Sequence, residues 1–382
     1  MHPIVIVGTG LAGFNTVKEF RKLDKETPIV MLTADDGRNY SKPMLSAGFS
    51  KGKTADDLCM ATPEKVAEQL NVDVRTGVHV AGIDAANKRV LLPDDHLDYS
   101  KLVLALGADT WTPPLEGDAV GEVFSVNDLM DYGKFRAAVE GKKTVTILGG
   151  GLIGCEFAND LSNGGFKVSL VEPMGRCLPL LLPEQASEAV GRGLADLGVQ
   201  FHFGPLAKAV HHGDNGQLVT ELSDGSQLES DVVLSAIGLR PRISLAKEAG
   251  LDTNRGILTD KSLRTSAEHI YALGDCAEVQ GHVLPYVLPL MASARALAKT
   301  LAGETTEVSY GVMPVTIKTP ACPVVVCPAA EGSEGAWEVE AEGNTVQALF
   351  RSKDGSLLGY ALTGEAVKEK MKLNKELPAI MP

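Results

Sequence analysis

Two short stretches carry residues whose type and spacing suit phosphate binding: "IVIVGTGLAGFN" (4–15) and "VTILGGGLIGCE" (145–156). In the first, Gly8 permits a tight turn out of an apolar strand. Gly10 lets the backbone approach a pyrophosphate, and Gly13 lets the following helix pack on its sheet. Thr9, Leu11 and Ala12 share that turn, and the helix start would offer unpaired N–H groups and a positive dipole end to the anion. An adenosine ribose calls for an acid about twenty residues further on. The second strand ends at "TADDG", so Asp35 is the candidate, with Thr33 and Ala34 lining the pocket.

The second triplet is Gly149, Gly151 and Gly154, with Leu152 and Ile153 in its turn. Its next strand ends in "LVE", which places Glu172 about eighteen residues beyond Gly154. A carboxylate there accepts hydrogen bonds from a free ribose diol and repels a 2′-phosphate, which favours NADH over NADPH. The nearby Arg176 reads as a surface arginine rather than a phosphate ligand. Two cradles on one chain imply two dinucleotides, one held permanently and one that comes and goes. A flavin and a nicotinamide meet that demand, since a flavin takes a hydride's two electrons and can release them singly.

These turns need parallel strands and helices to hold them, and the chain supplies both. Strand candidates are 3–8, 28–34, 101–108, 143–150, 167–172, 230–238 and 269–275. Several are near-continuous apolar runs, as expected of strands buried on both faces. Leu11, Phe14, Val17 and Phe20 recur at helical spacing after the first triplet. The pattern changes near Tyr310. "AWEVEA", "TVQALFRS" and "SLLGYALTG" read as three strands joined by turns, with Trp337, Val339, Val346, Ala348 and Phe350 at period two. An amphipathic helix is expected at 365–374.

Length and composition set the class. The 382 residues suggest two or three domains, with 44% apolar and 5% aromatic content. A net charge of −13 argues against a protein that holds nucleic acid by neutralising phosphates. No apolar run reaches the roughly 18 residues of a membrane-spanning helix. The opening "MHPIVIVG" goes straight into a strand and leaves no room for a secretory leader, so a cytoplasmic location is expected. Six cysteines contain no CxxC, and Cys322 and Cys327 read as packing residues. No metal site is expected. The adjacent His211 and His212 in "HHGDNGQL" should face opposite ways on a strand.

Beyond the glycine turns, further motifs resemble those of the two-dinucleotide FAD/NAD(P) reductases with the glutathione-reductase-like fold. "LVLALGA" resembles that family's strand ending in ATG, with Leu106 in place of threonine and with Ala105 and Gly107 beside it. "LSAIGLRP" (234–241), containing Gly238, resembles its GxxP segment. "TSAEHIYALGDCAE" (265–278) resembles its second flavin motif, whose aspartate, here Asp275, bonds a ribityl hydroxyl. Where thiol-relay members carry a cysteine, "NYSKPMLSAGFS" (39–50) has none, so electrons must leave the flavin for something outside the chain. "TADDGRNYSKPMLS", "IYALGDCAEVQGHVLPYVLPLM" and "KTPACP" are similar to segments of the rubredoxin-reductase and flavorubredoxin-reductase branch.

The resemblance implies an α/β fold of two Rossmann-like dinucleotide-binding domains plus a small α+β C-terminal domain. An FAD-binding domain would span 1–111 and 240–308, an NAD-binding domain 112–239, and the third domain 309–382. It implies tightly bound FAD, NADH as substrate, and flavin contacts from Lys42, Val80, Glu156, Val287 and Lys318. Lys318 near the pyrimidine edge would stabilise charge that appears only on reduction. No residue is expected to act as an acid or base, since hydride transfer rests on positioning. The expected partner is rubredoxin. A flavorubredoxin, or a [2Fe–2S] ferredoxin serving an oxygenase, is the alternative acceptor, and a redox-state signalling flavoprotein is the non-enzymatic reading.

Overall fold

The computed structural model describes residues 2–382. Two five-stranded parallel sheets form its body. The first runs Ile270–Ala272, Lys101–Leu104, Ile4–Val7, Ile29–Leu32, Asp73–Arg75 across its width. The second runs Val123–Phe124, Val232–Ser235, Thr144–Leu148, Lys167–Glu172, Gln200–Phe203. The four strands that carry each dinucleotide module therefore have the same order, and in both the strand before the glycine turn lies centrally. In such a sheet the order reverses beside that strand and opens a crevice at its carboxyl end. Strand burial follows the apolar runs, for Ile4–Val7, Ile29–Leu32 and Val232–Ser235 are buried throughout.

The Leu11–Arg21 helix buries Phe14, Val17 and Phe20 on the first sheet as its periodicity demands. Each module also carries a three-stranded antiparallel meander just before its fourth parallel strand. These are Gly82–Asp84, Arg89–Leu91, His96–Asp98 in the first, and Ala207–His212, Leu218–Leu222, Gln227–Ser230 in the second. The chain crosses between the modules on Ala108–Thr110 and returns on Leu239–Pro241, paired antiparallel.

One excursion ignores the modular division. Residues 42–58 lie within the first module's sequence, yet Leu45, Phe49 and Leu58 are buried in the core of the second. Phe49 sits edge-on to Tyr132, Phe135 and Phe166, and the Arg136 guanidinium covers its ring at 4.9 Å. Such geometries are the favoured ones for aromatic rings and cations.

The C-terminal part is a five-stranded antiparallel sheet, ordered Val315–Ile317, Val324–Cys327, Leu357–Thr363, Thr345–Arg351, Ala336–Glu342. The period-two pattern holds at Val346 and Ala348, which are buried, while Trp337 on the edge strand stays partly exposed against Phe350. One expectation is corrected here. Residues 365–374 do not form a single amphipathic α-helix, but a 3₁₀ stretch Gly364–Glu369 followed by one α-turn, Lys370–Leu373. Ala366 and Leu373 are buried on the sheet with Val367 beside them, too few anchors to offset the cost of a longer helix.

Candidate functional site

The two glycine turns share one geometry. Gly8 has φ +116°, and a Cβ there would lie 2.1 Å from the Ala105 carbonyl oxygen. A Cβ on Gly13 would lie 2.0 Å from the carbonyl oxygen of Gly8, while one on Gly10 would meet nothing within 4 Å. In the second turn Gly149 has φ +104° and its Cβ position lies 2.7 Å from the Ala236 oxygen. That of Gly154 lies 1.9 Å from the Gly149 oxygen, and Gly151 again faces open space. Outer glycines thus serve the chain's own backbone, and middle ones leave room for something else.

Both helices also begin without a side-chain cap and without an acid in the first turn. The helices Ala55–Leu58, Pro63–Leu70 and Leu129–Ala138 are capped by Thr54, Thr62 and Asp128, while Val287–Leu301 starts uncapped like the two cradle helices. First-turn N–H groups in front of an open glycine fit a pyrophosphate. The residues present therefore suit two dinucleotides.

The acids stand where the strands deliver them. Asp35 accepts hydrogen bonds at Oδ1 from Thr9 Oγ1 (3.2 Å), Thr33 Oγ1 (2.6 Å) and the Gly37 N–H (2.9 Å). The Asp35 carboxylate is thereby tied to the first glycine turn, with the exposed Ala34 alongside. Glu172 is buried, and its two oxygens accept the Gly150 and Met174 N–H groups, each at 2.8 Å. This acid braces the second turn as well as lining its pocket, a double task that spacing alone does not disclose. Arg176 is half-buried and donates to the Pro179 carbonyl at 3.4 Å.

Lys42 lies 3.6 Å from Asp275, joining the excursion to the motif that follows Gly274. Gly107 (φ +72°) and Gly238 (φ +131°) face open space, and Thr9, Ala12 and Ala105 are buried against the first turn. Val80 and Leu11 are partly buried against the first core, as Leu152 is against the second. Ile153 and Val287, both at helix starts, remain 37% and 41% exposed. Exposed apolar side chains at a helix start beside such a cradle leave surface for a ring to cover.

Glu156 draws three parts of the chain together. Only 1% of its side chain is exposed. It accepts hydrogen bonds from the Ser46 hydroxyl (2.6 Å), the Lys318 N–H (2.8 Å) and the Lys318 ammonium. On the same helix Asn159 Oδ1 accepts the Ala321 N–H (3.0 Å), and Asp160 accepts the N–H groups of Phe49 (2.7 Å) and Ser50 (3.0 Å) and the Ser50 hydroxyl (2.5 Å). Ser46, Asn159 and Asp160 are polar contacts of this junction that reading the sequence missed. A signal existed, for residues 156, 159 and 160 share one face of a helix whose surroundings are otherwise apolar. Removing the Asp160 carboxylate leaves the buried Phe49 N–H without a partner and frees the part-buried Ser50 N–H, at a cost of about 2 kcal/mol. D160A should therefore lower the melting temperature by roughly 2–4 °C, and D160N, which keeps one acceptor oxygen, by less.

One site residue gains a partner, and one sequence expectation changes. Lys318 rests on the Glu156 carboxylate. The histidines do not diverge, because the strand ends at His212 and both rings reach Asp118, at 3.5 Å from His211 and 3.4 Å from His212. His212 also lies 2.6 Å from Glu122, and that bond, then the one to Asp118, raises its pKa. Among the described residues no group of three or more histidine, cysteine or acidic side chains is arranged to hold a metal.

The fold, the paired cradles and the polar junction define a class. Residues 2–298 match the pyridine nucleotide-disulphide oxidoreductase family, and the chain belongs to it. Residues 307–377 match the rubredoxin binding C-terminal domain. The chain is 43% identical to the rubredoxin-NAD(+) reductase of Acinetobacter baylyi, an alignment covering 100% of this chain and 99% of that protein. It is 39% identical to a nitric oxide reductase FlRd-NAD(+) reductase of Vibrio vulnificus, covering 98% of each. Among solved structures it is similar to the covalent putidaredoxin reductase–putidaredoxin complex. There the TM-score is 0.88 and the identity 24%, over 99% of this chain and 94% of that one. The NADH:rubredoxin oxidoreductase of Clostridium acetobutylicum gives a TM-score of 0.82 at 23% identity, over 98% and 94%. All six cysteines here are free, and Cys155, next to Gly154, donates to the Gly150 carbonyl at 3.2 Å.

Proposed function

We propose that this protein is an NADH-dependent reductase that passes electrons through FAD to rubredoxin, one at a time. The observation that carries this reading is the pair of glycine cradles on one chain, continued by a domain matching the rubredoxin-binding type. The first cradle, with Gly8, Gly10 and Gly13, holds the FAD pyrophosphate on the helix start, and Asp35 holds its ribose. Asp275, kept in place by Lys42, bonds the ribityl chain. The second cradle holds NADH, with Glu172 reading the ribose diol. When bound, FAD supplies a ring that takes a hydride's two electrons together and gives them up singly.

The chain's task is positioning and exclusion of water. The Glu156 helix, bolted to the excursion through Asp160 and to the C-terminal part through Asn159, fixes the orientation of the second cradle against the first. Lys318 offers a positive charge at the junction, where it meets negative charge arriving with the electrons. With a net charge of −13 on this chain, an acidic acceptor docks by a local patch and not by whole-molecule attraction. No helix among the described residues is long and apolar enough to cross a membrane. Six unpaired cysteines suit the reducing cytoplasm, which we take as the place of action.

The similarity to FlRd-NAD(+) reductases makes a flavorubredoxin the second candidate acceptor. Anaerobic rapid mixing decides between them. NADH-reduced protein is offered rubredoxin, the rubredoxin domain of a flavorubredoxin and a [2Fe–2S] ferredoxin in parallel. Fastest reduction of free rubredoxin is expected. Equal rates to all three would defeat the assignment.

A further inference from the structure

The donors to Glu156 are divided between its oxygens in a way that frees one of them to leave. Oε1 accepts the Lys318 backbone N–H at 2.8 Å, and Oε2 accepts both the Ser46 hydroxyl at 2.6 Å and the Lys318 ammonium. If the ammonium departs, each oxygen still keeps one donor. A buried carboxylate left without its cation is costly, and the cost is smaller when both oxygens keep a donor than when one is stripped bare. The cation is also the end able to move, since the Lys318 side chain is 29% exposed and that of Glu156 only 1%.

Ser46 is held firmly enough to serve. It is buried and sits at a kink, φ −97° and ψ 24°, within the 3₁₀ stretch Lys42–Ala47. Three residues on, Phe49 is boxed by three aromatic rings, and Asp160 clamps its N–H together with that of Ser50. At the other end of the same stretch Lys42 meets Asp275. The hydroxyl therefore cannot follow the lysine.

We propose that Ser46 is a positioning residue whose hydroxyl keeps Glu156 satisfied, which makes the Lys318 ammonium a releasable cation that turns toward negative charge arriving at the site. This rests on the reductase reading above. No bond forms and no proton moves; one ammonium exchanges a fixed carboxylate for incoming electron density. Without the hydroxyl, Oε2 has only the ammonium and keeps it. The reduced state then loses its counter-charge.

The test is a redox titration of the flavin-loaded protein with dithionite, comparing wild type, S46A, S46T, K318M and the S46A/K318M double variant. S46A should lower the equilibrium constant for two-electron reduction about tenfold, a midpoint about 30 mV more negative. S46T, which restores a hydroxyl, should return to the wild-type midpoint. K318M should shift at least as far as S46A, and adding S46A to it should shift nothing more, because Ser46 acts through Lys318. An unchanged midpoint in S46A overturns the proposal, as does an S46A shift that adds in full to that of K318M. Should S46A not retain flavin, S46C keeps the volume with a weak donor and carries the same comparison. Dithionite reports on the site without NADH or rubredoxin, so failure to reduce rubredoxin would sink the functional reading and leave this result standing.

Discussion

Replacing Gly13 by alanine yields a colourless protein. The new Cβ would lie 2.0 Å from the carbonyl oxygen of Gly8, which is backbone and has nowhere to go. Gly8 is itself pressed against Ala105, with φ +116° and 2.1 Å from its own Cβ position to the Ala105 oxygen. Strand, turn and helix form one rigid stack, and relief must come from lifting the helix off the sheet. That moves the first-turn N–H groups out of line with the pyrophosphate. Flavin affinity should fall at least about 100-fold, equivalent to roughly 3 kcal/mol, and melting should drop with it. G10A separates the two effects. Its Cβ enters open space at φ −70°, so the empty chain should melt as wild type while the bound dinucleotide is displaced. G154A repeats the clash in the second turn, at 1.9 Å from the Gly149 oxygen. That variant should stay yellow yet resist bleaching by NADH. Visible absorbance, melting curves and anaerobic NADH titration on the three proteins check the set. A yellow G13A protein with normal stability would contradict the account.

Removing the Glu172 carboxylate should abolish the preference for NADH. Its two oxygens brace the Gly150 and Met174 N–H groups at 2.8 Å each, so E172A both empties the ribose pocket and loosens the turn. A hydrogen bond to a charged group contributes about 1.5–3 kcal/mol, so kcat/KM with NADH should fall about 10- to 100-fold. The rate with NADPH should fall less or rise, because the repulsion of a 2′-phosphate disappears with the charge. E172Q keeps an acceptor for one N–H and should preserve stability better than E172A while losing the same discrimination. Steady-state kinetics with both nucleotides reads the ratio directly. A retained ratio in E172A would show that another group reads the ribose.

Much of the candidate site was legible because each cradle is a local object. A strand, a three-glycine turn and a helix occupy about fifteen residues, and the acid at the next strand's end follows from the length of one βα unit. Gly8, Gly10, Gly13 and Asp35 could be placed on that ground, as could Gly149, Gly151, Gly154 and Glu172, and Asp35 indeed lies on Thr9 of the turn. Parallel sheets were likewise implied by alternating strands and helices, but not the order of their strands. The 3₁₀ stretch at 364–369 escaped because helical periodicity does not report how many anchors the sheet supplies. The convergence of His211 and His212 escaped because strand alternation fails where a strand stops.

The amino-acid order by itself implied two glycine turns with an acid at the end of the next strand, and left no cysteine in residues 39–50. Short-range sterics fix the outer glycines, since only glycine tolerates the φ of Gly8 and Gly149 and the close approaches at Gly13 and Gly154. Tertiary structure alone decided how the cradles face each other. It sent Leu45 and Phe49 into the second module's core, and it set Ser46 and Lys318 on Glu156 from positions 110 and 162 residues away. Contacts of that separation depend on the shape complementarity of packed surfaces, which leaves no periodic mark along the chain.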